Sequence, residues 1–70
     1  MTTEKINAIA DAVTSLWSEE SWSIARSGEY DGQDQDVVAA AAAAIGVDYE
    51  ACVDGIGAVY QELTRRSLAR

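Results

Sequence analysis

Residues 39–44 are six consecutive alanines, preceded by Val37-Val38 and followed by Ile45-Gly46-Val47. Alanine is the best helix former and is depleted in strands, so this run predicts a helix. Asp34 or Asp36 is expected to cap it, with the helix covering Val37 to Ile45. Gly46 is the expected stop, and Val47 packs back over the last turn. The same run limits the core, because 13 of the 34 hydrophobic residues are alanine. Only 20 are large: six Val, five Ile, three Leu, Met1, two Trp and three Tyr. A domain of this size buries about 60% of the surface of its unfolded chain. Stability must therefore come from closely packed helices or from burial against another chain.

The other elements follow from spacing. Ile6, Ile9, Val13 and Leu16 recur at helical intervals and predict an amphipathic helix from Thr3 to Trp17. Thr2 or Thr3 can cap it, and Asp11, Thr14 and Ser15 fall toward its wet side. Ser18-Glu19-Glu20-Ser21 can open a second short helix through Trp22 and Ile24 to Arg26, stopped by Gly28. Trp22-Ser23-Ile24 also alternates like a strand, but no partner strand exists in the pattern, and the helix is preferred. Gly28 to Gln33 reads as a loop. Asp48 is a candidate cap for a last helix from Tyr49 to Leu68, with Cys52, Ile56, Val59 and Leu63 on its apolar face. Arg65, Arg66 and Arg70 lie at its C-terminal end, where positive charge is favoured. The expected architecture is an all-α single domain over residues 1–70, a bundle of three to four helices ending in a helical hairpin.

Composition removes several kinds of chemistry. There is one cysteine and no histidine, so paired disulfides, Cys/His zinc sites and histidine acid–base catalysis are excluded. No apolar run reaches the roughly 18 residues of a membrane span, and Met1 to Lys5 lacks the pattern of a signal peptide. With a lone cysteine, this points to the cytoplasm. The formal charge is −7 and is unevenly spread. Residues 1–54 carry 11 acids and 2 bases, and residues 55–70 carry 1 acid and 3 bases. Direct binding of nucleic acid is disfavoured, because that affinity rests on Lys and Arg displacing counterions. The complementary expectation is a basic partner.

Residues 36–60 resemble the helix-turn-helix family. An alanine-rich helix ends in Ile45-Gly46-Val47, and a polar residue opens the next helix. Ala42 stands as the small residue four before the turn glycine, and Cys52 as the apolar contact six after it. Gly55 departs from the pattern, standing where a further apolar residue is usual. The resemblance implies helix–turn–helix geometry, but Asp48, Tyr49, Glu50 and Asp54 would open the recognition helix. Carboxylates there repel phosphates, and the usual base-edge readers are missing.

Six acids against one base lie in residues 19–36: Glu19, Glu20, Glu29, Asp31, Asp34 and Asp36 with Arg26. A calcium loop counted from Asp31 would need Gly at its sixth place and Glu at its twelfth. The chain has Asp36 and Ala42 there. Two readings remain: a solvated stretch with helix-capping acids, or a negatively charged patch aimed at a basic groove. Trp22 and Tyr30 are the candidate apolar anchors of such a patch, although Trp17 and Trp22 also suit the core. Cys52 lies on an apolar face with no nearby base, as expected of an inert buried thiol. Gly55 and Gly57 in mid-helix suggest the close approach of another helix, or else a kink. Ala51, Gly55 and Ala58 form a small-residue stripe that could meet the Ala39–Ala44 surface within the chain or across a dimer.

In size, acidity and lack of catalytic groups the chain resembles, at class level, the small inhibitors of phages and mobile elements, such as anti-CRISPR and anti-restriction proteins. That resemblance implies a non-enzymatic, cofactor-free protein that occludes a basic, nucleic-acid-handling surface. Its contact residues would be Glu19, Glu20, Trp22, Glu29, Tyr30, Asp31, Asp34 and Asp36. The alternative is a homo-oligomeric structural or regulatory protein built through Ala51, Gly55 and Ala58.

Overall fold

The structure is a computed structural model that describes residues 1–48 and 53–70, and for Val53 and Asp54 the backbone alone. Among the described residues it contains four helices and no strand: α1 (Thr3–Leu16), α2 (Glu19–Ala25), α3 (Gly32–Ala44) and α4 (Val53–Leu68).

Each helix end has an identifiable cause. Thr2 caps α1, its side chain accepting from the Lys5 N–H at 3.2 Å. Ser18 caps α2 in the same way, accepting from the Ser21 N–H. Past α2 the chain turns at Gly28, whose φ of +83° suits a residue without a Cβ. The end of α3 is a Schellman motif. Val47 N–H donates to the Ala42 carbonyl and Gly46 N–H to that of Ala43, with Gly46 at φ +78°. Val47 is buried there, as expected of the residue that folds over the last turn.

Two expectations are corrected. The α3 helix starts earlier than Asp34 or Asp36 allows, because Asp31 caps it and accepts from the Asp34 N–H at 2.9 Å. Asp34 has another role: its Oδ1 accepts from the Ser21 hydroxyl at 2.8 Å. Leu16, assigned to the apolar stripe, is 65% exposed at the end of α1, and Trp17 takes its place in the core. The predicted start of the last helix at Tyr49, with Cys52 on its buried face, lies outside the described residues.

Packing centres on α1, which lies against both α3 and α4, while α2 lies against α4. Contacts fix the directions. Met1 touches the backbone at Gly55, and eleven residues further along α4, Arg66 reaches Asp11 and Thr14. Thus α1 and α4 run parallel. Ile45 meets the first turns of α1 while Trp17 meets Tyr30, just before α3, so α3 runs antiparallel to α1. The small-residue stripe does not find the alanine run as its neighbour at Gly55, where the Met1 side chain fills the space. Gly57 faces open space, with no helix beside it.

The core holds Ile9, Val13, Trp17, Trp22, Val38, Ile56, Val59 and Leu63, with Ala10, Ala25, Ala41 and Ala42 between them. The radius of gyration is 10.8 Å, close to the roughly 11 Å expected of a compactly folded chain of this length.

Candidate functional site

The acidic segment is gathered at one end of the bundle by the aromatic residues beneath it. Trp17, which ends α1, meets Trp22 of α2 edge to face at 5.0 Å between ring centres. Tyr30 lies 5.9 Å from Trp17 and 4.5 Å from Tyr60 of α4. The Tyr30 hydroxyl donates to the Tyr60 carbonyl at 2.9 Å and also contacts the Thr64 hydroxyl. This row ties the α2–α3 connection to α4. The Ser21–Asp34 hydrogen bond then brings the starts of α2 and α3 side by side. Both starts are positive ends of helix dipoles, which accounts for the density of acids around them.

The predicted contact residues therefore divide. Glu20, Glu29, Asp31 and Asp36 are exposed around the two helix starts and the loop joining them. Asp31 is engaged by its cap, whereas Glu20, Glu29 and Asp36 form no ion pair among the described residues. Glu19 is exposed but paired with Arg70. Asp34 is only 7% exposed, so it is a structural acceptor and no part of the outer surface. Trp22 is 1% exposed, so it is a core residue and no protruding anchor. Tyr30 is half-buried with its hydroxyl occupied, which also removes it as a free anchor. In a chain with so few large side chains, the interior claims both tryptophan rings and packs Tyr30 and Tyr60 against the core in part. Of the predicted dimer stripe, Ala58 is half-buried, Gly55 faces Met1 and Ala51 lies outside the described residues.

The C-terminal arginines are consumed within the chain. Glu62 accepts from Arg65 Nε and Nη2 at 2.8 and 2.7 Å, and from Arg66 Nε at 2.7 Å. Arg66 Nη1 reaches Asp11 Oδ1 at 2.8 Å. Hydrogen bonds from Arg65 and then Arg66 pull the Glu62 carboxyl from 4.5 down to about 2, against a smaller opposing effect of burial. Arg70 pairs with Glu19 and lies 4.7 Å over the Trp22 ring. These cations leave the carboxylates of Glu20, Glu29 and Asp36 without internal counter-charge. Spacing gives no sign of these pairings, since Arg66 and Asp11 are 55 residues apart and Arg70 and Glu19 are 51 apart.

An open depression of about 410 Å³, lined by Thr2, Glu4, Lys5, Ala8 and Ile45, lies where α1 begins and α3 ends. No group of three or more His, Cys, Asp or Glu among the described residues is placed to hold a metal ion. Among them, too, no helix is long and apolar enough to cross a membrane. What the acidic end offers is fixed negative charge on a rigid support. Comparison of the chain with protein-family models, with curated proteins and with solved structures gives no match.

Proposed function

We propose that this chain is a non-catalytic, acidic protein-binding module, an inhibitor in the manner of anti-CRISPR or anti-restriction proteins. It would occlude a basic, nucleic-acid-binding surface of a cytoplasmic target. The observation that supports this reading best is the segregation of charge. Glu20, Glu29 and Asp36 stand unpaired around two adjoining helix starts, while Arg65 and Arg66 of α4 and Arg70 beyond it are spent on Glu62, Asp11 and Glu19. Negative charge fixed in this way raises the association rate with a basic surface and imposes like-charge repulsion on nucleic acid. A homo-oligomer through Ala51, Gly55 and Ala58 draws less support, because Met1 of the same chain already fills the space at Gly55.

The test uses the protein and a Glu20→Lys/Glu29→Lys/Asp36→Lys variant, each immobilised and exposed to cell lysate. The expected outcome is a nucleic-acid-binding protein retained by the native surface, released by added duplex DNA and by salt, and lost with the variant. For that protein, the association rate at low salt should fall at least about tenfold in the variant. Equal retention by both proteins removes the mechanism.

A further inference from the structure

Glu19, Trp22 and Arg70 form one contact that ties the chain past α4 to α2. Its parts are those that recognise a guanidinium: the face of an indole ring and, beside it, a carboxylate. Arg70 stands 4.7 Å over the Trp22 ring centre and pairs with the Glu19 carboxylate. It lies two residues past the end of α4, where the Arg70 N–H makes only a long, 3.4 Å bond to the Ser67 carbonyl. The Arg70 side chain is 35% exposed and that of Glu19 is 84% exposed. The Arg70 guanidinium thus lies over a face of the buried Trp22 ring, from a residue just past the end of a helix. The ring itself is braced by the edge-to-face contact with Trp17.

We infer that an arginine of a partner protein displaces Arg70 and takes its place on Trp22 and Glu19. This deepens the proposed function by naming the basic residue that the partner presents, and it rests on that reading for the partner's existence. The site itself is a property of this chain alone. Glu19 adjoins Glu20 at the start of α2, so a displaced Arg70 would uncover the contact at the edge of the acidic end.

The probe is N-acetyl-arginine amide, added at constant ionic strength while the Trp22 ring resonances are followed by NMR. The Arg70→Ala variant should show a saturable shift at Trp22, weaker with N-acetyl-lysine amide and abolished in Glu19→Gln/Arg70→Ala. Wild-type protein should bind more weakly. If Arg70 fills the site four-fifths of the time, the apparent affinity is lower by about fivefold, in proportion to the open fraction. No saturable shift in Arg70→Ala, or equal affinity in wild type and variant, overturns the inference and leaves the contact as a clamp between α4 and α2. Because Glu20, Glu29 and Asp36 are untouched here, this failure is distinct from failure of the acidic-surface reading, which the lysine triple variant tests.

Discussion

At the residue scale, Asp34 is the side chain whose role depends most on its surroundings. It is buried, its Oδ1 accepts from the Ser21 hydroxyl, and its backbone N–H completes the Asp31 cap. Oδ2 has no hydrogen-bond partner, so the single bond to Ser21 carries the link between the starts of α2 and α3. Replacing Asp34 with Ala should destabilise the protein by about 1–3 kcal/mol, because a bond to a charged group is lost and the Ser21 hydroxyl keeps only its contact with the Ser18 hydroxyl. Asp34→Asn keeps the Oδ1 acceptor and should lose less. Urea denaturation of both variants decides the point, and equal losses would remove the hydrogen bond as the cause.

At the element scale, the two glycines of α4 differ although their sequence context is nearly the same. A Cβ on Gly57 meets nothing within 4 Å, whereas one on Gly55 would lie 2.9 Å from Met1 Cβ and Cε. Glycine costs a helix interior about 0.8–1 kcal/mol relative to alanine, so Gly57→Ala should stabilise the protein by roughly that amount. Gly55→Ala should gain less or lose stability, because Met1 must move aside. A further contrast is Gly46, where the positive φ of the Schellman turn makes alanine unfavourable by about 1 kcal/mol or more despite open space around it. Thermal melts of the three alanine variants should rank Gly57→Ala above wild type and Gly46→Ala below it.

At the scale of the whole molecule, the arginines join helices that the connections do not. Arg66 bridges Glu62 of its own helix to Asp11 of α1, and Arg70 ties the end of α4 to α2. Glu62 is the centre of this network, with its carboxyl lowered from 4.5 to about 2. A group whose folded value lies below its unfolded one contributes stability in full above the unfolded value. That contribution is lost as pH falls from about 4.5 toward 2. Glu62→Gln should therefore be less stable than wild type at neutral pH and show a shallower loss of stability across that window. Parallel stability curves for the two proteins would show that the ion pairs have no such weight. The same network holds the cations of α4 on Glu62 and Asp11, so neither pairs with Glu20, Glu29 or Asp36.

The helices were legible in the sequence because their causes are local. The alanine run, the threonine and serine caps of α1 and α2, and the Gly46 turn each act within about one helical turn. The start of α3 was less legible, since Asp31, Asp34 and Asp36 are all competent caps and the choice turns on Ser21 engaging Asp34. Charge and its uneven distribution were also fixed by residue type alone. The fate of each candidate contact residue was not. Trp22 and Tyr30 went inside because α1 and α4 supplied the surfaces that bury them, and Glu19 was neutralised by an arginine 51 residues away. Helix formation is decided between neighbours along the chain, whereas exposure and ion pairing are decided between neighbours in space, and only the packed bundle determines which residues those are.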